Sequence, residues 1–182
     1  MNYEIDARGI KSCAVKGKQY RIDSFQNKYW YKEGKLHRED GPAIECNIIN
    51  DHRWYKEDKL HREDGPAIEF YNRYKEWYKE WYKEGKYHRE DGPAIENSNG
   101  DKHWFIEGKL HRLDGPAIEY SKGTKWWFIE GKRHRTDGPA IHYFDGTKEY
   151  YYLGKHIECN SDEAYFKLLK LKAFLVKNIY YK

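Results

Sequence analysis

The chain has 182 residues, of which 38% are hydrophobic and an unusual 18% are aromatic, and its formal net charge is +4. Leu, Ile and Val are too sparse for a sandwich or a doubly wound sheet, whereas Tyr and Trp suit an exposed sheet surface. Residues 161–182 carry five lysines and two acids, so they hold +3 of the net charge and the rest of the chain holds +1. This near balance disfavours binding to a nucleic-acid polymer, which normally requires Lys and Arg without equal acid beside them.

Targeting and redox features are sparse. No apolar run approaches membrane-spanning length, and residues 1–6 do not resemble a signal peptide, so we expect an intracellular, soluble protein. Cys13, Cys46 and Cys159 are odd in number and far apart, which indicates reduced thiols in place of a disulfide framework or a zinc site.

The dominant feature is a repeated unit. The motif His-Arg-x-Asp-Gly-Pro-Ala occurs five times, and each copy follows a tryptophan seven residues before its histidine. The tryptophans are Trp30, Trp54, Trp81, Trp104 and Trp127. A period of about two dozen residues indicates a stacked array in which neighbouring units complete one another's core.

The array is predicted to occupy residues 1–160. Full units span about residues 25–149, and a degenerate unit follows at about 150–160. Residues 17–23 resemble residues 34–40, with Tyr20 in place of the motif histidine, so residues 1–24 are interpreted as an atypical N-terminal cap.

Each full unit predicts an antiparallel hairpin. In the last one, a strand after Pro139 turns at Asp145-Gly146, and Asn99-Gly100 takes the same place in an earlier unit. These pairs are preferred where two central turn residues need positive φ. Because side chains alternate along a strand, the tryptophan column should lie on one face of the sheet and the next residue on the other. We therefore expect a mainly β fold, an elongated single-layer antiparallel β-meander of tandem hairpin repeats with a C-terminal α-helical cap.

One unit breaks the period. Residues 77–80 and 81–84 have the same sequence, Trp-Tyr-Lys-Glu, which inserts four residues before the motif. An even insertion preserves the pleat, so it should lengthen the hairpin or form a bulge. The insertion is either a tolerated duplication or a functional feature.

The C-terminal segment, residues 161–182, predicts an amphipathic helix. Ser161 before Asp162 and Glu163 is typical of a helix start. Apolar residues then recur at helical spacing, at Tyr165, Leu168, Leu169, Leu171, Leu175, Val176 and Ile179. The helix is expected to cover the edge of the last hairpin; the alternative is a helix that binds a membrane surface or a partner.

The repeated motif is interpreted first as the joint between units. Asp-Gly-Pro is typical turn chemistry, Arg and Asp two residues apart can form an ion pair, and His can hydrogen-bond to the next unit. The residues assigned to this structural role are His37, Asp40, His61, Asp64, His88, Asp91, His111, Asp114, His134 and Asp137. Successive histidines are a full unit apart, so no metal site is predicted.

A second interpretation of the same motif is a row of arginines beside aromatic rings, which could bind the phosphates and base of a small nucleotide. The arginines concerned are Arg38, Arg62, Arg89, Arg112 and Arg135. Catalysis is not expected, because the candidate groups are periodic while an active site is a unique arrangement. No cofactor motif is present either.

The unit resembles a known repeat family. The run from Trp104 to His111, followed after Gly-Pro by a hairpin turn and another aromatic strand, resembles the membrane occupation and recognition nexus repeat. The sequence Leu-His-Arg-x-Asp-Gly-Pro-Ala is similar to motifs in tandem-repeat proteins of tailed bacteriophages and giant viruses. The resemblance covers about residues 15–158 and implies a single-layer sheet and a viral protein that acts in an infected cell. The sequence Arg-x-Asp-Gly-Pro stands where the membrane occupation and recognition nexus repeat commonly has Gly-x-Gly. This difference weakens the transfer of that family's lipid-binding and scaffolding roles to this chain.

These observations predict a non-enzymatic protein that binds and occludes a host protein, such as a component of antiviral defence, in the cytoplasm of the host cell. Trp, Tyr and Arg are enriched at binding hot spots. The predicted binding residues are the arginines above together with Trp77, Tyr78, Trp81, Tyr82, Trp54 and Trp104. The alternatives are sequestration of a small nucleotide or second messenger, and a structural or membrane-adjacent scaffold. Self-association is a further alternative, and the binding face of the sheet is left open.

Overall fold

The computed structural model describes residues 3–5, 11–15, 18–46 and 49–180, with side chains within 20–46 and 49–173. It divides the chain into two compact units, Met1–Gly108 and Lys109–Lys182. They are called the first unit and the second unit below, and every other use of the word unit refers to one sequence repeat. The described fold is mainly β, an antiparallel meander of hairpins followed by one C-terminal helix, which confirms the predicted fold class.

The first unit contains main-sheet strands of two to five residues and other strands of two residues that pair beside the main sheet. They are β1 (Tyr3–Ile5), β2 (Lys11–Val15), β3 (Lys18–Ile22), β4 (Lys28–Lys32), β5 (Lys35–Leu36), β6 (Ile44–Cys46), β7 (Asp51–Arg53), β8 (Tyr55–Lys56), β9 (Lys59–Leu60), β10 (Ile68–Tyr71), β11 (Trp77–Glu80), β12 (Tyr82–Lys83), β13 (Lys86–Tyr87), β14 (Ile95–Asn97), β15 (Lys102–His103) and β16 (Phe105–Ile106). The main sheet of this unit runs in the order β1-β2-β3-β4-β6-β7-β10-β11-β14-β15. Two-residue strands pair with each other beside it, β8 with β9 and β12 with β13.

The second unit has the same plan. Its elements are β17 (Lys109–Leu110), β18 (Ile118–Glu119), β19 (Lys125–Trp126), β20 (Phe128–Ile129), β21 (Lys132–Arg133), β22 (Ile141–His142), β23 (Lys148–Tyr152), β24 (Lys155–Ile157) and α1 (Asp162–Tyr180). Its main sheet runs β18-β19-β22-β23-β24, and β20 pairs with β21 beside it.

The two-stranded pairs beside the main sheet, such as β8 with β9, are called short ladders below. The repeated tryptophan is the point at which the chain passes from the main sheet to a short ladder. The Trp54 amide donates to the Ala67 carbonyl of the next main-sheet strand at 2.8 Å, and the Trp54 carbonyl accepts from the His61 amide at 3.1 Å. Alternation along residues 125–130 predicts one continuous strand, but the chain is interrupted at Trp127, between β19 and β20. The interruption lets each tryptophan serve two ladders.

Successive short ladders are joined by backbone hydrogen bonds. The Arg38 amide donates to the Tyr55 carbonyl at 3.2 Å, and the Asp58 amide donates to the Leu36 carbonyl at 2.9 Å. The Arg62 amide donates to the Tyr82 carbonyl in the same way at 3.3 Å. The periodic sequence thus forms the same joint repeatedly, as expected of a tandem array.

The turn chemistry differs from expectation. At Asn99-Gly100 and Asp145-Gly146 only the glycine has positive φ, so the prediction of two such residues was wrong. Pairs of positive φ occur instead where the short ladders turn, for example at Glu84-Gly85, with φ of 50° and 79°. These two main-sheet turns, residues 98–101 and 143–147, are loops of four and five residues with one left-handed residue each, whereas the short ladders need the tight turn that matches strand twist.

The core of the array is thin. The motif alanines are fully buried: Ala43, Ala67, Ala94, Ala117 and Ala140. The isoleucine after each alanine is largely buried in three units, at Ile68, Ile118 and Ile141. A small side chain at each strand entry lets the backbone of the neighbouring tryptophan approach closely.

The N-terminal part aligns differently from the sequence interpretation. Residues 18–22 were matched to a short strand and motif loop, but they form the main-sheet strand β3, which pairs with β2 and β4. Tyr20 lies opposite Trp30, and their rings stack with centroids 5.7 Å apart. That equivalence was therefore wrong, because the tyrosine packs on the first tryptophan instead of joining two ladders. The cap interpretation of residues 1–24 stays a prediction.

The C-terminal helix begins as predicted. The Ala164 amide donates to Ser161 Oγ at 3.2 Å, which is an N-cap contact, and Asp162 and Glu163 lie in the first turn. Tyr165 is fully buried and its hydroxyl bonds to the backbone carbonyls of Arg135 and Tyr151.

The helix caps the last hairpin mainly through its first turns. Tyr150 takes the place of the repeated tryptophan, and its hydroxyl donates to Asp162 Oδ1 at 2.6 Å. Leu168 and Leu171 are exposed, so much of the described apolar stripe is uncovered. The side chains of Leu175, Val176 and Ile179 lie outside the described residues.

Candidate binding surfaces

The motif arginine is held between a tryptophan ring and a glycine. The guanidinium carbon of Arg89 lies 3.9 Å from the centre of the Trp81 ring. On its other side, a Cβ built on Gly92 would stand 2.9 Å from the same carbon, so only glycine leaves room for it. The same pairing recurs as Arg38 on Trp30, Arg62 on Trp54 and Arg135 on Trp127.

The donors of the same guanidinium are used inside the unit. Arg89 Nε donates to Asp91 Oδ1 at 2.9 Å, while Nη1 donates to the Pro93 carbonyl and to Glu96 Oε1, both at 3.1 Å. This confirms the predicted pairing of Arg and Asp, and the Arg89 hydrogen bond lowers the pKa of Asp91. All five motif arginines thus have structural contacts, and in four copies one face of the partner tryptophan ring is occupied. Nothing in this geometry favours the nucleotide alternative, which stays a prediction.

The motif histidine joins successive units, as expected. His61 Nδ1 accepts a hydrogen bond from the Glu84 amide of the next unit at 3.2 Å, and His134 Nδ1 accepts one from the Leu153 amide at 3.1 Å. Both amides belong to residues with positive φ. The histidine therefore fixes the tight turn of its neighbour. No cluster of metal-binding groups occurs among the described residues.

The four-residue duplication lengthens one hairpin. Strands β10 and β11 pair from Ile68↔Glu80 to Tyr71↔Trp77, which is two residue pairs more than β18 and β19 form. Trp81 keeps the place of the repeated tryptophan, so the extra residues are added at the far end of the hairpin. Of the two outcomes predicted, a longer hairpin or a bulge, the insertion gives the longer hairpin, and it preserves the pleat.

The lengthened end carries an ordered aromatic group, here called the hairpin tip (residues 71–77), in which Tyr71 and Tyr74 are exposed and Trp77 is partly buried. Asn72 Oδ1 accepts the amides of Tyr74 and Glu76 at 2.9 and 3.0 Å, which fixes the turn. Tyr74 is 69% exposed, and its hydroxyl accepts from Arg73 Nη2 at 2.7 Å. Tyr71, Tyr74 and Trp77 thus lie together at the end of a rigid hairpin.

The residues predicted first for binding separate in the structure. Trp77 belongs to the hairpin tip, with Lys79 Nζ 5.5 Å from its ring centre. Tyr78 stacks on Phe70 at 4.8 Å. Trp81 supports Arg89, and the Tyr82 hydroxyl donates to Glu80 Oε2 at 2.9 Å. Burial raises the pKa of Tyr82, and its contact with Tyr87 raises it further. Only Trp77 of the four lies at the exposed end.

Two further surfaces are grooves between successive motif loops in the first unit. The first groove, of about 760 Å³, lies between residues 37–41 and 61–64 with Trp54 in its lining. The second, of about 880 Å³, lies between residues 62–66 and 88–91 with Trp81 in its lining. The two grooves are equivalent because they lie between successive copies of the repeat. We call them the acidic grooves, because glutamate and aspartate side chains form their rims.

The rims of the acidic grooves consist of the glutamates at the variable motif position together with the motif aspartates. Glu39, Glu63 and Glu90 have side chains 78%, 84% and 80% exposed. The arginines behind them are only 20% exposed. A molecule entering a groove therefore meets carboxylates before it meets guanidinium groups.

Sequence reasoning missed Tyr71, Arg73 and Tyr74 of the hairpin tip, and the exposed motif glutamates. The duplicated sequence identified the hairpin that is longer. It did not show that the added length lies at the turn end of that hairpin, at residues 71–77. The glutamates were overlooked because they occupy the variable position of the motif. A comparison of copies would have found them, since the fourth and fifth have Leu113 and Thr136 there.

One buried ion pair lies beside the tip hairpin. Asp51 is almost fully buried and binds Arg53 through two carboxylate oxygens, with Nη2 2.6 Å from Oδ2. Burial raises the pKa of the neighbouring Cys46 thiol, and Asp51 adds to the effect. Cys46 and Cys159 are free, consistent with the predicted thiols, while the Cys13 side chain lies outside the described residues.

Comparison with known proteins leaves the chain without an assigned family. No protein-family model matches the sequence, and no curated protein matches it significantly. The resemblance to membrane occupation and recognition nexus repeats stays an interpretation. Within the described part of the chain, no helix has the length and apolar character needed to cross a membrane.

Proposed function

We propose that the protein is a non-enzymatic binding protein that occludes a host protein in the cytoplasm of an infected cell. The observation that supports this most directly is the hairpin tip. It carries Tyr71, Tyr74 and Trp77 on a hairpin with four residue pairs, whereas the neighbouring hairpins β6–β7 and β14–β15 form three and two pairs. Tyr and Trp provide large contact areas at low entropic cost, which is why they are common at hot spots.

The structural role of the other aromatic residues strengthens this choice. Trp81 and Tyr82 contact Arg89 and Glu80 inside their own unit, so the fold accounts for them. Tyr74 and Arg73 contact each other at the exposed turn. An exposed aromatic group that the array does not need is the expected form of a binding anchor.

The duplication provides a sharp test. Deleting residues 77–80 gives the same chain as deleting residues 81–84, and it restores the spacing from Pro66 to the tryptophan found in the units of Trp104 and Trp127. The deleted variant should fold with an ordinary hairpin but lose the bound protein. Native mass spectrometry of tagged protein from the cells that normally contain it would show the partner as a whole-protein mass increment.

A triple substitution is the companion test. Tyr71→Ser, Tyr74→Ser and Trp77→Ser together should remove the increment, whereas Phe25→Ser with Phe144→Ser, at exposed turns of other hairpins, should leave it. A bare mass for the unaltered protein would overturn the proposal. An increment the size of a nucleotide would replace it with the sequestration alternative.

A further inference from the structure

The joint between successive short ladders is an antiparallel strand pairing that uses one carbonyl and one amide of the earlier ladder. In the last joint of the array, the Arg133 carbonyl accepts from the Gly154 amide at 2.9 Å, and the Arg135 amide donates to the Tyr151 carbonyl at 3.4 Å. The same two bonds join the short ladders of the first unit. The outward-facing carbonyl and amide on either side of the motif histidine are thus the groups that hold the next unit.

The last short ladder, β23 with β24, leaves these two groups open. In the repeat, His156 of β24 and Glu158 just after it take the places of Arg133 and Arg135. Among the described residues, none bonds to the His156 carbonyl or the Glu158 amide, and both residues are exposed. Helix α1 contacts the preceding joint instead, through Tyr165. A strand edge with open backbone groups is a template for pairing with another chain.

This open edge is complementary to itself. Where two residues of antiparallel strands lie opposite each other without exchanging hydrogen bonds, the residue after each one donates its amide to the residue before the other. With Ile157 of two copies as that opposed pair, the Glu158 amide of each copy reaches the His156 carbonyl of the other. Both groups that one copy leaves open are then used by a second copy, as in a two-fold interface formed by the same patch on each side.

The side chains of the edge fit the same pairing. The place of the motif histidine is taken by Ile157, an apolar residue suited to a cross-strand pair with itself. In this register His156 lies opposite Glu158 of the second copy, so an imidazole meets a carboxylate on both sides of the axis. Beside the edge, a groove of about 660 Å³ contains Leu168 and Leu171, which are 37% and 54% exposed. The edge therefore offers an identical edge hydrogen bonds, complementary polar groups and apolar area.

We propose that two copies of this chain pair edge to edge through β24, antiparallel about a two-fold axis at Ile157, and form a dimer. The pairing continues the joint of the array, because the second copy takes the place that the next unit takes in every earlier joint. The inference does not depend on the proposed function, since it uses the second unit and no residue of the hairpin tip.

Sedimentation equilibrium of the full chain tests the dimer. The unaltered protein should show a monomer–dimer equilibrium, and Glu158→Pro should raise its dissociation constant roughly tenfold, because each copy loses the amide that it donates across the axis. Proline is tolerated at the edge of a sheet, and thermal unfolding checks that the variant keeps its fold. The matched control is Lys122→Glu, at an exposed turn of the same unit, which should leave the dissociation constant unchanged.

Two charge variants at exposed positions test the register without the proline. Glu158→Lys removes the carboxylate opposite His156, and His156→Glu places two carboxylates opposite each other, so each variant alone should dimerise roughly tenfold more weakly. Mixed in equal amounts, the two variants should recover the dimer, because one contact across the axis becomes an ion pair and the other is the natural one. An unaltered protein that stays monomeric at its highest soluble concentration, species larger than a dimer, or a mixture no more dimeric than its components would each overturn the proposal.

Discussion

Arg89 and Trp81 form the repeated structural contact of the array, with the guanidinium carbon 3.9 Å from the ring centre. The contact explains three positions of the motif together. The arginine needs the ring beneath it, the glycine leaves space above it, and the aspartate accepts its Nε donor. A row of arginines and tryptophans that suggests ligand binding in the sequence is thus part of the support of the fold.

The first prediction concerns the glycine in this arrangement. Gly92→Ala should reduce the free energy of unfolding by about 2 kcal/mol, because a Cβ 2.9 Å from the Arg89 guanidinium carbon displaces a group held by three hydrogen bonds. Gly138→Ala should cost less than about 1 kcal/mol, since the corresponding distance to Arg135 is 3.2 Å. Urea unfolding of both variants measures the difference. Equal stability of Gly92→Ala and the unaltered protein would contradict the packing argument.

Much of this fold could be predicted from sequence. The period, the turn residues and the tryptophan column were sufficient for an antiparallel meander, and Ser161 with the acids after it was sufficient for the helix start. The interruption at each tryptophan could not be predicted, because alternation along residues 125–130 is equally compatible with a continuous strand. It depends on hydrogen bonds from the tryptophan backbone to two different neighbours.

The candidate sites were harder to predict for a related reason. In a periodic sequence the same residue types serve the joint and could serve a ligand, so identity alone does not separate the roles. Trp77 and Trp81 have identical sequence neighbours over four residues, yet one lies at the hairpin tip and the other supports Arg89. The strand register determines which of the two tryptophans occupies the repeat position, and that register depends on pairing with strands distant in sequence.

The second prediction concerns backbone strain at the last short turn. Leu153 has φ of 49° and is 52% exposed, so a leucine there adopts a left-handed conformation with little burial in return. Leu153→Gly should raise the free energy of unfolding by about 1 kcal/mol by relieving that strain. The opposite change at the next residue, Gly154→Ala, should lower it, because Gly154 has φ of 83°. Thermal unfolding of the two variants gives the signs, and destabilisation by Leu153→Gly would contradict the strain argument.

The third prediction concerns the helix cap. Tyr165→Phe should lower the free energy of unfolding by about 1–3 kcal/mol, because the carbonyls of Arg135 and Tyr151 lose the hydroxyl that bonds them. Burial raises the pKa of Tyr165 to about 12, so the hydroxyl is protonated and able to donate at neutral pH. Leu171→Ser, at an exposed position of the same helix, should change stability by less than about 0.5 kcal/mol. If Leu171→Ser proved the more destabilising in urea, the helix would be held by its apolar stripe instead of by Tyr165.

The last prediction concerns pH. Burial lowers the pKa of His134 from its ordinary value of 6.5, and its Nδ1 accepts the Leu153 amide, so the folded state favours the neutral ring. The unfolded chain then binds a proton first as pH falls, and the stability contributed by His134 is present above about pH 6.5 and declines below it. His134→Gln should therefore differ most in stability from the unaltered protein at neutral pH, and the difference should narrow toward pH 5. Urea midpoints across this range measure the narrowing, and a difference that is constant or grows on acidification would show that the neutral ring is not what the fold requires.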